Sequence, residues 1–146
     1  GKLDPTFSNA KKIFQVFDTL TEKEETKAEE LMVKRIISAE KNEKVSKIAM
    51  KMKQYNVSQI PIISYNHVLG MISESNILEE VANGKNLDKI NAEDIMQDAP
   101  PIISKKTPLK IILELLKVTP LLIISDNGKL SGVITKADIL KTVSRK

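Results

Sequence analysis

The chain is built twice from one pattern, and that constrains its fold more than any other feature. Residues 70–76 read Gly-Met-Ile-Ser-Glu-Ser-Asn and residues 132–138 read Gly-Val-Ile-Thr-Lys-Ala-Asp, an offset of 62. Ala28-Glu29-Glu30-Leu31-Met32 matches Ala92-Glu93-Asp94-Ile95-Met96 at 64, and Ile36-Ile37-Ser38 aligns with Ile102-Ile103-Ser104 at 66. Drifting offsets are what small insertions and deletions leave between two copies of one supersecondary unit. A unit of roughly 60 residues buries little core alone, so each copy is expected to pack on the other.

Each copy reads as strand, helix, strand, strand, helix. In the first, Arg35–Ser38 is a short β-branched strand, and Glu43–Gln54 carries Val45, Ile48, Ala49 and Met52 on one helical face. Ile60–Ser64 and Val68–Ile72 flank the turn Tyr65-Asn66-His67 and form a hairpin. Ser73 starts the next helix and Asn83-Gly84 ends it. In the second copy Pro101–Ser104 is the strand, and Thr107-Pro108 opens a helix with Thr107 at the N-cap. Leu109, Ile112, Leu113 and Leu116 form its buried face. Leu121–Ser125, the turn Asp126-Asn127-Gly128 and Leu130–Ile134 make the second hairpin, and Thr135–Val143 closes the unit. The fold class is α/β (α+β) with three segments: 1–27 as helix and linker, 28–86 as first repeat, 87–146 as second.

The N-terminal segment differs. Ala10, Ile13, Phe14, Phe17 and Leu20 line one face of a helix starting near Ser8. Thr21–Glu30 is almost wholly polar, with Thr21 and Glu24 spaced as a capping box, and reads as a solvated connector with a boundary near 21–27. Gly1 in place of Met points to a fragment or a processed chain.

Bulk properties exclude several classes. The 146 residues carry no cysteine, which removes disulfides, thiolate metal sites and a cysteine nucleophile. No apolar run approaches the ~18–20 residues of a membrane span, and the expected location is cytoplasmic. A formal net charge of +4 with interspersed signs is too mild to argue for nucleic acid. There is no tryptophan, so a base-stacking platform is not expected. His67 is the single histidine and makes no metal site, and neither Ser73 nor Thr135 has a base at recognisable spacing. An enzyme is therefore not expected. Lys34 and Arg35 read as surface cations within reach of a ligand phosphate.

The doubled corner is the candidate for chemistry. A helix start offers free N–H groups and the positive end of the dipole to an anion. Thr135 can cap the helix and donate to a phosphate oxygen, and Asp138, one turn on, can accept from two ribose hydroxyls. Such residues also serve simply as caps, and two equivalent corners weigh against that bland reading without removing it.

The stretch from about Glu29 to Lys146 resembles a tandem pair of CBS (cystathionine-β-synthase-type) domains, a Bateman module. The resemblance rests on the doubled Glu-acidic-hydrophobic-Met lead-ins, on Ile60-Pro61-Ile62-Ile63, and on Gly-hydrophobic-Ile-Ser/Thr-x-x-Asn/Asp at 70–76 and 132–138. It implies two β-α-β-β-α repeats packed through their sheets in pseudo-two-fold fashion, with clefts that bind AMP, ADP, ATP or S-adenosylmethionine. It also implies a homodimer that regulates an attached domain. It places Asp138 on the ribose, Thr135 on the phosphate or tail, and Ile102 and Ile103 against the base. In the first repeat it implies Asn76 in place of the commoner aspartate, Ser73 as the hydroxyl, and Ile36, Ile37, Ile60 and Pro61 as the base-facing wall. An amide lacks the charge-assisted strength of a carboxylate, so the Asp138 corner ranks first.

Two departures stand out. Val45 to Ser64 runs 19 residues and Leu109 to Ser125 only 16, which suggests a loop shorter by three and sets Leu122 opposite Pro61. Residues 3–13 resemble the last helix of a phage-repressor-type helix-turn-helix domain, an arrangement found before CBS pairs in archaeal regulators. DNA would then be a partner only through an upstream domain. The alternative for 8–20 is an amphipathic helix packed on the module or on a partner chain. Two functions follow: a sensor of an adenosine compound, needing no cofactor beyond that effector, or a ligand-free dimerisation module that spaces DNA-binding heads.

Overall fold

A computed structural model describes residues 26–144. The elements are α1 (Ala28–Leu31), α2 (Val45–Tyr55), β1 (Gln59–Ser64), β2 (His67–Ser73), α3 (Glu74–Ala82), α4 (Ala92–Ile95), β3 (Ile102–Ser104), α5 (Leu109–Leu115), β4 (Leu121–Asp126), β5 (Lys129–Thr135) and α6 (Lys136–Ser144). The helix expected over 8–20 and the Thr21/Glu24 capping box lie outside the described residues.

The described chain forms two compact units, and they cross the repeat boundaries. One holds residues 35–101; the other combines 26–34 with 102–144. Each is a small sheet with helices on one face. In the first, β1 pairs antiparallel with β2, Ala39 forms a parallel bridge to Ile62, and Met71 bridges to Gln97. In the other, β3 lies parallel to β4, β4 pairs antiparallel with β5, and Val33 bridges to Val133. The outer contact in both comes from a lead-in, Met96-Gln97 in one unit and Met32-Val33 in the other. So the lead-in at the start of each repeat sits on the strands of the other repeat.

The sequence explains the cores. Val45, Ile48 and Met52 repeat at helical spacing and are buried with Ile60, Ile62, Ile72, Ile77 and Ala92. Leu109, Ile112 and Leu116 pack with Leu122, Ile124, Ile134, Ile139 and Ala28. Each fully buried Ile or Leu is worth about 1.5–3 kcal/mol against exposure. Pro61, Leu121 and Ile123 point to the opposite face of their strands and are buried as well. Buried on both faces, these strands read as continuous apolar runs rather than alternations.

Six readings of the sequence are corrected. Arg35–Ser38 is not a strand; only Ala39 bridges, while Ser38 O accepts from Lys51 Nζ at 2.8 Å and the Arg35 guanidinium stacks over Tyr55 at 4.6 Å. Ala39 pairs with Ile62 as Ile103 pairs with Ile124, so Ala39, not Ile37, is the counterpart of Ile103. Gly70 opposite Ile62 and Gly132 opposite Ile124 pin the hairpins, so Pro61 matches Ile123 rather than Leu122. The shortening falls in the helix, eleven residues in α2 against seven in α5, and not in a loop. Pro108, not Thr107, is the α5 N-cap, since Lys27 pairs with extended Pro108. The end of the polar 21–30 stretch is also no solvated connector: Thr26 and Ala28 are buried.

Candidate functional site

Both strand-to-helix corners form, and they are built alike. At the first, Ser73 caps α3: its hydroxyl accepts from Asn76 N–H at 3.2 Å and donates to Asn76 Oδ1 at 3.1 Å. Ser73 N–H donates to the same Oδ1 at 2.9 Å. At the second, Thr135 N–H donates to Asp138 Oδ2 at 2.9 Å and the Thr135 hydroxyl donates to it at 3.1 Å. Asp138 N–H returns a bond to Thr135 Oγ1 at 3.4 Å. Such reciprocal boxes satisfy helix-start donors and hold the side chain in one rotamer.

The two corners differ in what they leave over. A backbone N–H can only donate, so the Asn76 atom facing Ser73 N–H must be the oxygen. Nδ2, a donor, is therefore the atom turned away from Ser73. At Asp138 the atom left over is Oδ1, an acceptor. One corner offers a donor amide and the other a carboxylate oxygen, from residues at equivalent positions. Asn76 is 9% exposed, while Asp138 is half-buried.

The other expected contacts fall around this frame. Ile102 begins β3 and is 49% exposed; Ile103 is half-buried against the core. Ile102 pairs with Ile123 and Thr135 with Leu121, so both stand at one end of the sheet, on either side of β4. Two strand spacings, about 10 Å, separate the outer strands. Around the first corner, Ile60 and Pro61 are fully buried, with Ile60 inside the core, while Ile36 and Ile37 are half-buried ahead of the Ala39 bridge. His67 is exposed at the start of β2.

Two further concavities of about 500 and 470 Å³ lie on the 35–101 unit. The larger is lined by Lys47, Met50, Gln54 and Tyr55 beside the Lys51–Glu43 ion pair of 2.9 Å. Neither includes a corner residue. Among the described residues no group of three or more His, Asp or Glu could hold a metal ion, and no helix is long and apolar enough to cross a membrane.

Sequence reasoning missed why the glycines are there. A Cβ on Gly132 would lie 2.7 Å from Met32 Sδ and 2.8 Å from Val33 O; one on Gly70 would lie 2.6 Å from Gln97 O. Each glycine makes room for a lead-in. The signal was present in the doubled Ala-Glu-acidic-hydrophobic-Met and the doubled glycine, but nothing local says they touch. Glu29 helps fasten its lead-in through a 3.0 Å ion pair with Lys106. That hydrogen bond is the main cause of a Glu29 carboxyl held below its usual range; burial opposes it, and the charges of Lys106, Lys105 and Lys27 add to it.

Two repeats that exchange lead-ins, each turning from hairpin to helix at a capped corner, define a tandem-repeat module. The chain belongs to the CBS-domain family, whose sequence model matches residues 28–83 and 92–145. It is 30% identical over 113 residues to an uncharacterised protein of Methanopyrus kandleri, covering 73% of this chain and 57% of that one. A homoserine O-acetyltransferase of Methanococcus vannielii is 41% identical over 59 residues, 40% of this chain and 12% of the enzyme. The chain thus spans little more than half of one relative and a small part of the other. The fold matches the crystal structure of an uncharacterised conserved protein of Pyrococcus horikoshii, with TM-score 0.71, 23% identity, and coverage of 84% of this chain and 94% of that one.

Proposed function

We propose that the chain is a sensing module that binds an adenosine nucleoside or nucleotide, of the AMP, ADP, ATP or S-adenosylmethionine type, at its second-repeat corner. One observation carries this: Thr135 N–H and O–H hold Asp138 Oδ2, which fixes the carboxylate and leaves Oδ1 to accept ribose hydroxyls. The Thr135 hydroxyl re-aims at a phosphate by rotation about χ1 while its backbone N–H keeps Asp138 in place. Exposed Ile102, at the same end of the sheet, offers apolar surface to the base. The Asn76 corner presents a donor instead and takes the nucleoside less well. Binding regulates only if the ligand prefers one arrangement of the chain. The regulated partner we assign is a DNA-binding domain, on the resemblance of residues 3–13, in a homodimer.

A second reading, a ligand-free dimerisation module, draws on two observations. Both corners spend their hydroxyls on capping bonds, and Leu78, Val81 and Leu140 leave apolar surface exposed on α3 and α6. Thermal shift separates the two. AMP, ADP, ATP, S-adenosylmethionine, methylthioadenosine and NAD are added in series to the whole chain. A ligand of the native state raises Tm by mass action. A concentration-dependent rise lost in Asp138→Ala supports the sensor; no rise with any compound supports the dimerisation module.

A further inference from the structure

The described structure starts at Thr26, and the contacts of residues 26–33 decide which corner this lead-in answers to. Thr26 O accepts from Leu109 N–H at 2.8 Å, Ala28 N–H donates to Thr107 O at 2.8 Å, and Glu29 N–H donates to Lys105 O at 3.0 Å. Val33 then exchanges both backbone bonds with Val133, at 2.9 and 3.0 Å. Met32 and Val33 cross Gly132 where a Cβ would not fit. Every one of these anchors belongs to the second repeat. Val133 and Gly132 lie on β5, whose last residue, Thr135, forms the Asp138 corner.

The first corner has a separate line. Met71 exchanges backbone bonds with Gln97 at 3.0 and 2.8 Å, and Met96 and Gln97 cross Gly70. Met71 precedes Ser73 by two residues on β2. This line runs on into residues 98–101.

We infer that the corners are coupled to different stretches of chain: Thr135–Asp138 to the first lead-in, residues 26–33, and Ser73–Asn76 to the 92–101 connection between repeats. The order is crossed with respect to sequence, because the second repeat holds residues 26–33 and the first holds Met96 and Gln97. Close-packed interiors pass on small displacements rather than absorbing them, and a two-bond pairing to the strand is a direct route. That an adenosine compound supplies the input rests on the function proposed above; the coupling itself needs no ligand.

Amide hydrogen exchange on the whole chain tests this without any ligand. Asp138→Ala removes the carboxylate that holds Thr135 N–H, and Asn76→Ala removes its counterpart. In Asp138→Ala the Ala28, Glu29 and Val33 amides are expected to exchange about fivefold faster, on the scale of a lost helix cap, with Met71 and Gln97 unchanged. Asn76→Ala is expected to give the reverse. Equal acceleration on both lines, or none at Val33 in Asp138→Ala, overturns the coupling. Should Asp138→Ala unfold the chain, Thr135→Val, which removes only the hydroxyl bonds to Asp138, is read by the same pattern. Failure of every adenosine compound to bind would refute the ligand and leave these exchange patterns as they are, so the two failures are told apart.

Discussion

At Gly132 a methyl group would meet Met32 Sδ at 2.7 Å and Val33 O at 2.8 Å. Sulfur at the end of a flexible side chain can move, but a backbone carbonyl held by the Val33–Val133 pair cannot do so without breaking it. Gly132→Ala should therefore destabilise the chain by roughly 2 kcal/mol, the size of overpacking costs, as measured by urea unfolding. Restoring space with Met32→Ala should recover only part of that loss, because the Val33 contact remains. Full recovery would show that the carbonyl contact does not matter. The corner residues themselves, Ser73, Asn76, Thr135 and Asp138, were legible in the sequence because a cap needs that residue type at that spacing. What the cap leaves over was not legible. It follows from which oxygen faces the backbone N–H, and only geometry gives that.

At the scale of elements, the helices and hairpins were legible and the first strand of the first repeat was not. Val45–Tyr55 and Leu109–Leu115 announce themselves by apolar spacing. Ile36-Ile37 looks as β-branched as Ile102-Ile103, yet only the latter pair forms a strand: Ala39 is the partner position of Ile103, so Ile36-Ile37 falls at the places of Pro100 and Pro101, before the strand begins. The hairpin turns make a matched pair of tests. Asn127 and Gly128 sit at φ 53 and 82, the positive values a two-residue turn requires, with residues suited to them. Tyr65 and Asn66 adopt φ 48 and 66, and a tyrosine is strained there. Tyr65→Asn should stabilise the chain by about 0.5 kcal/mol, read as a higher urea midpoint at unchanged m-value. A lower midpoint would mean that the exposed ring contributes more than its backbone costs.

At the scale of the molecule, the repeat was visible and its packing was not. Sequence similarity marks off 28–83 and 92–145, and the family match follows the same bounds. The compact units instead run 35–101 and 26–34 with 102–144, because each lead-in seats on the glycine of the other repeat. Alignment compares like with like and is blind to which copy a segment touches. This arrangement gives the molecule two corners of unlike hydrogen-bonding character, one offering a carboxylate oxygen and one an amide donor. The most direct test of the account is a calorimetric titration of the whole chain with AMP, ATP and S-adenosylmethionine, repeated on Asp138→Ala and Asn76→Ala. The account predicts saturable binding of at least one compound, abolished in Asp138→Ala and kept in Asn76→Ala. Binding that survives Asp138→Ala, or that is lost only in Asn76→Ala, would contradict it.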